Sequence, residues 1–150
     1  MTTAMKTYRI IDANINRAKE GLRVVEDICR FILEDPLLTE KLKTLRHKLT
    51  ELVGVPDRLL VEARGSAEDV ARERPVPQRK TVRQTFTANC KRAAEAIRVL
   101  EEFSPKGTAF KDQRYLLYDL EKVISQKLRL KLPFEQTVYV VSDSVSVLKK

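Results

Sequence analysis

The chain has 150 residues, with 29 Lys plus Arg against 21 Asp plus Glu, a net charge of +8 and a hydrophobic fraction of 43%. That length suits one domain burying roughly two-thirds of its unfolded surface, and the apolar content is too high for a disordered chain. No apolar run reaches the ~18–20 residues that span a bilayer, and the opening MTTAMKTYRI has no signal-peptide core, so the expectation is a cytoplasmic globular domain.

The elements follow in chain order. Ile11, Ile15, Ala18, Leu22, Val25, Cys29 and Ile32 recur at steps of three and four, which draws one apolar stripe on a first helix. Asp35 is placed to cap a second helix with Pro36 in its first turn, and the periodicity continues over Leu37–Val53 until Gly54. From Pro56 to Lys80 the chain carries Gly65, Pro75 and Pro77 and reads as one long connection, a length that is usually functional or mobile. Thr81 with Gln84 resembles a capping box opening a third helix to about Phe103. Ser104-Pro105-Lys106-Gly107 breaks the chain, and a fourth helix follows from about Thr108 to Leu130 before Pro133.

Aligned with itself at an offset of 75, the chain shows a repeat: ANINRAKEGLRVVED from Ala13 matches ANCKRAAEAIRVLEE from Ala88 with eight identities in fifteen positions. A weaker match sets LKTLRHKLTEL from Leu42 over FKDQRYLLYDL from Phe110, with Arg46 over Arg114 and His47 over Tyr115. The expected fold is therefore all-α: four main helices as two duplicated helix–helix units related by a pseudo-twofold axis.

The four glycines are scattered, which excludes the clustered glycine turns of Rossmann and P-loop phosphate sites. A single His47 and the distant Cys29 and Cys90 argue against a His-based triad or a zinc site. Chemistry falls to Arg, Lys, Asp, Glu and Asn. Asn14 and Asn89 lie in the apolar arc of their helices, with Arg17 and Arg92 at its edge and Gly21 or Ala96 two turns on, where a small residue lets a helix or a ligand approach. A buried amide needs a partner. Either the two amides bond each other or nearby backbone and fix the bundle, or Asn and Arg line a cleft for an anionic ligand, to which a guanidinium fork is suited. Glu20, Arg23, Glu26 and Asp27, repeated as Glu95, Arg98, Glu101 and Glu102, read first as a solvated ion-pair ladder and second as an interface or a metal–phosphate site. Arg64-Gly65-Ser66 with Asp69 forms either an anion-binding turn or a solvated loop; Phe110, Tyr115 and Tyr118 read as core.

These stretches, YRIIDANINRAKEGLRVVEDICRF with LKTLRHKL and TANCKRAAEAIRVLEEF with QRYLLYDLEK, resemble the helical hydroxymethylpyrimidine phosphate kinase domain found fused in front of thiamine phosphate synthase in some bacteria, over roughly residues 7–130. The resemblance implies ATP- and Mg²⁺-dependent phosphorylation of hydroxymethylpyrimidine phosphate to the diphosphate. On it, Arg17, Glu20, Arg92 and Glu95 are the expected catalytic residues, with Glu20 and Glu95 toward the metal. Asn14, Arg23, Asn89, Arg98, Arg64 and Asp69 are the expected substrate-binding residues. It also admits two macromolecular partners, thiamine phosphate synthase and a second copy in a homodimer. Residues 1–133 form the expected kinase-like domain. The tail, 134–150, contains Val138-Tyr139-Val140-Val141-Ser142-Asp143, which resembles the first strand of the synthase barrel; with no barrel following, synthase activity is expected to be absent. Gly65 and Ala71 depart from the family's pattern in the connection, which would reduce or abolish turnover wherever that loop forms part of the site. The alternatives are a non-catalytic helical module that docks on a synthase or dimerises and, ranked last, nucleic-acid binding suggested by a pI near 9.6.

Overall fold

The computed structural model describes residues 1–134; the strand-like tail expected over 135–150 lies outside them. Among the described residues the fold is all-helical and without strands: α1 Thr3–Phe31, α2 Pro36–Leu52, α3 Asp57–Ala63, α4 Val82–Phe103 and α5 Gly107–Lys131, with a 3₁₀ turn at Ser66–Glu68.

The boundaries follow from local chemistry. Thr2 caps α1 by accepting from the Met5 N–H. Asp35 caps α2, its Oδ1 accepting from Leu38 N–H at 2.9 Å, with Pro36 fixing the first turn. Between these helices Glu34 takes the left-handed conformation at φ 55°, and the Leu33 N–H reaches the Ile28 carbonyl and the Asp35 N–H the Cys29 carbonyl, so that orphan carbonyls at the end of α1 are satisfied. Thr81 Oγ1 accepts from Gln84 N–H at 3.1 Å, while Gln84 Oε1 accepts from Lys80 N–H at 2.9 Å, one residue earlier than in a standard capping box. Arg129 and Lys131 close α5 with the charge its C-terminal dipole favours.

The long connection is more ordered than its prolines and glycine suggest. Its first half forms α3 and the 3₁₀ turn, and Leu60 and Ala63 bury themselves in the packing of α3 on α1. The helices pack α1 on α4 and α2, α4 on α5, and α2 more lightly on α5. Leu22, Val25, Leu42, Leu45, Leu49, Ile97, Leu100, Phe110, Leu117, Ile124 and Leu128 form the fully buried centre. Gly21 sets the α1–α4 approach: a Cβ there would lie 2.9 Å from the Asn89 carbonyl oxygen, so its role is to admit a helix.

Candidate functional site

α1 places Asp12 beside Ile11 and Ile15 on its apolar side, where only 5% of the residue is exposed. A carboxylate so buried needs partners, and it accepts three hydrogen bonds from two. Arg64 binds it as a fork, Nε to Oδ2 and Nη2 to Oδ1, both at 2.8 Å, and Asn16 Nδ2 donates to Oδ1 at 3.1 Å. The hydrogen bond and charge of Asp12 raise the Arg64 pKa above its ordinary value, so the guanidinium stays charged. Arg9 Nη2 adds a second tie, donating to the Gly65 carbonyl at 2.6 Å. Together these bonds strap the end of α3 across the N-terminal half of α1.

Hollows open on both sides of the strap. One, about 240 Å³, lies between α1, the end of α2 and α3, with Asn16, Lys19 and Asp57 in its wall. The other side opens into a hollow of about 420 Å³ lined by Arg9, Asn16, Glu20, Arg64 and Asp69. Adjoining it, and sharing Arg9, Ala13 and Asp69, is a further hollow of about 460 Å³ with Lys6, Asn14 and Arg17. Lys6, Arg9, Arg17 and Arg64 outnumber Asp12, Glu20 and Asp69 around this opening, and with Asp12 already held by Arg64 such an arrangement can receive an anionic, hydrogen-bonding ligand. Asp69 also shapes its own turn, Oδ1 accepting from Ala71 N–H at 2.9 Å.

Of the residues singled out in the sequence, Asn14, Arg17, Glu20, Arg64 and Asp69 therefore gather around α1. The α4 set is placed elsewhere. Glu95 and Arg98 line a separate hollow of about 460 Å³ between α4 and α5, with Lys91, Arg114, Tyr118 and Glu121. Burial pushes the Glu121 carboxyl upward, opposed by Lys91. Asn89 and the half-buried Arg92 are not among the residues lining these hollows.

The two amides do not bond each other. Asn14 Nδ2 donates to the Ile10 carbonyl at 2.9 Å and Asn89 Nδ2 to the Thr85 carbonyl at 2.8 Å, each four residues back in its own helix. Asn14 Oδ1 also accepts from Arg17 Nη1 at 3.2 Å, which holds that guanidinium beside the hollow.

Glu26 and Glu101 are not part of a solvated ladder. Their side chains are 6% and 7% exposed, and each ties its hairpin together. Arg46 Nε donates to Glu26 Oε2 at 3.0 Å; Arg114 forks onto Glu101 through Nε and Nη2 and also donates to Tyr118 Oη at 3.0 Å. Arg23 leans on Glu26 and Asp27, and Arg98 on Glu101 and Glu102, so both are engaged in ion pairs along their helices. Tyr115 and Tyr118 are surface residues, packed edge to face with centroids 5.8 Å apart; of that aromatic set only Phe110 is core.

Asp12, Arg9, Asn16 and Lys19 were missed by sequence reasoning. Asp12 has no acidic counterpart in the repeat, since Thr87 stands 75 residues on. The available signal was an acid next to the apolar stripe together with an Arg in the connection. Burial pushes the Cys29 thiol up to about 12 and the Cys90 thiol also upward, so neither is a thiolate nucleophile near neutral pH. Among the described residues no three His, Cys, Asp or Glu side chains gather as a ready metal cage, and no helix is long and apolar enough to cross a membrane.

Comparison with known proteins adds family to geometry. A protein named thiamine-phosphate synthase from Nostoc punctiforme is 37% identical over 144 aligned positions, covering 91% of this chain and 40% of that protein. Proteins of the same name from Parasynechococcus marenigrum and a Synechocystis species are 44% and 39% identical, with 77% and 90% of this chain and 35% and 41% of theirs covered. The chain thus spans about two-fifths of the length of the curated relatives it matches. No solved structure matches. The ThiD2 family model matches residues 9–123, most of α1 through most of α5, and the chain belongs to the ThiD2 family.

Proposed function

We propose that the chain is an ATP-dependent phosphotransferase of thiamine biosynthesis that converts hydroxymethylpyrimidine phosphate to its diphosphate. Three things support this: membership of the ThiD2 family, the synthase name carried by longer relatives, and the cationic opening around α1. The opening carries the proposal, because phosphoryl transfer rests chiefly on positioning and charge neutralisation. In this reading a phosphate oxygen of the pyrimidine monophosphate attacks the γ-phosphorus of ATP, the bond to the β-phosphate oxygen breaks, and ADP leaves. Arg17, Arg9 and the outer edge of Arg64 neutralise phosphate charge. Asn14 holds Arg17, and the Asp12–Arg64 pair positions the strap. A Mg²⁺ ion needs only one or two acids besides substrate phosphates; Glu20 and Asp69 line the same hollow and fit that demand, where the ion would screen phosphate charge. Glu95 lies in the α4–α5 hollow and Glu20 beside α1, so the two are proposed to act in different places, with Arg92, Arg98 and Asn89 as the matching α4 set. The two hairpins, related by the sequence repeat, are proposed to be pseudo-twofold copies.

The test is a coupled assay with hydroxymethylpyrimidine phosphate, ATP and Mg²⁺. Diphosphate formation is expected, with kcat/KM falling at least about tenfold in Arg17→Ala, as loss of one charge-assisted phosphate contact implies. A folded chain that forms no diphosphate yet binds a thiamine phosphate synthase tightly would replace the kinase with the docking-module reading.

A further inference from the structure

α5 carries a pattern that the phosphate site does not use. Gln113, Leu116, Leu120, Val123, Lys127 and Leu130 follow one another at alternating steps of three and four, the spacing of a seam that receives another helix. Within this chain the seam is only half covered. Leu120 is buried, but Leu116 and Val123 are each 42% exposed and Leu130 is 85% exposed. Beside it α2 contributes Leu45, and the two helices leave a groove of about 410 Å³ between them. Its floor is Leu45, Leu116, Leu120 and Val123, unlike the hollow beside Glu20 and Asp69 and the one between α4 and α5, where charged residues are the majority of the wall.

We propose that this groove is where a second copy of the chain docks, α2–α5 face against α2–α5 face, in a twofold dimer. The charges choose the occupant. A chain of net charge +8 repels its own copy across most of its surface. At this rim Glu40 and Asp119 balance Lys41 and Lys48, so the face is neutral and carries both signs. A twofold interface must complement itself, and a rim with equal acids and bases around an apolar floor does so. The rim groups are free to change partners, because among the described residues Glu40 and Lys48 meet Lys43 at 3.9 Å and Glu51 at 3.1 Å in exposed pairs of small worth. The groove is apart from the residues around α1, so docking there leaves the strap and its hollows open.

Sedimentation of the full chain over a wide range of protein concentration tests this. The expected result is a species of twice 17.3 kDa, with slower amide exchange over 40–48 and 113–123 as concentration rises. Leu116→Glu with Val123→Glu is expected to weaken association at least about tenfold, through charge placed on the apolar floor. Val76→Glu, at a more exposed apolar site in the connection, should leave it unchanged. Should the double variant lose helicity, Lys48→Glu alone, which leaves the floor intact and makes the rim acidic, is expected to weaken association too. The proposal is overturned by a chain that is monomeric at every concentration, by association that Lys48→Glu or the folded double variant leaves unaltered, or by protection confined to other helices. Coverage of the groove by an added thiamine phosphate synthase while the chain alone stays monomeric would equally overturn it.

Discussion

The two hairpins are tied by the same device and then treated differently. In α1–α2, Glu26 meets Arg46; in α4–α5, Glu101 meets Arg114. The sequence offset that aligns Glu26 with Glu101 also aligns Asn16, Lys19 and Glu20 with Lys91, Ala94 and Glu95, so each hairpin bears a hollow on the corresponding stretch of its first helix. Over the first hairpin, however, α3 and the residues after it are strapped down through Arg64 and Arg9. The α4–α5 hollow is walled by those two helices alone. What is repeated holds the hairpins together; what is not repeated adds the strap and the basic side chains that line the opening beside it.

The clamps should show the largest effects. Glu101→Ala leaves Arg114, only 15% exposed, with Tyr118 as its remaining partner, and is expected to cost about 3 kcal/mol, the range for breaking a buried pair. Glu26→Ala removes a single bond from Arg46 and should cost about 2 kcal/mol on the same grounds. Urea denaturation midpoints at constant m-value measure both. Equal or reversed losses would mean that the fork on Arg114 adds nothing over the single bond to Arg46.

Next in size is the strap, which has no counterpart in the second hairpin. Arg64→Ala leaves Asp12 buried with Asn16 alone and is expected to lower stability by less than the loss of either clamp, because the lost partner was half exposed. Its effect on turnover should be larger than its effect on stability: if the strap shapes the site, kcat/KM for diphosphate formation falls by about a hundredfold, as displaced positioning groups commonly cause. Arg98→Ala, in the open hollow, should change turnover far less. A reversed ranking of the two variants would move the site from α1 to the α4–α5 hollow.

How much of this was legible in the sequence follows from which interactions are local. Asp35 before Pro36, Thr81 before Gln84 and the Ser104–Gly107 break are choices made within a few residues, and the helix limits follow them closely. α3 was hidden because seven residues are too few to show a helical period, and its stability comes from packing on α1. Glu26 and Glu101 sit off the centre of their apolar stripes and read as solvated, yet α2 and α5 extend over them and supply an arginine. The weaker repeat, which sets Arg46 over Arg114, held that information. Asp12 was invisible to self-alignment because its partner comes from the part of the chain that is not repeated. Asn14 was placed correctly in the buried arc, but its amide is satisfied by its own helix.

The smallest expected effect separates the two interhelical turns. In the α1–α2 turn Asp35 accepts from Leu38 N–H and from Lys127 Nζ at 2.6 Å, a bond that links this turn to α5; the α4–α5 turn has no side-chain cap on its helix. The Lys127 hydrogen bond, then the Leu38 N–H, holds the Asp35 carboxyl below the ordinary aspartate range. A carboxyl whose folded pKa is depressed contributes stability above the unfolded value, and that contribution is lost as pH falls through the folded one. The melting temperature should therefore fall as pH drops below about 4, the ordinary aspartate pKa. Lys127→Met should remove part of that acid sensitivity by letting the carboxyl titrate closer to its unfolded value. Amide exchange at Leu38 gives the local readout: on acidification it should slow less than the intrinsic rate does, as protection is lost, while the start of α5, which has no side-chain cap, follows the intrinsic rate. Equal responses at the two turns would show that Asp35 does not carry the acid dependence.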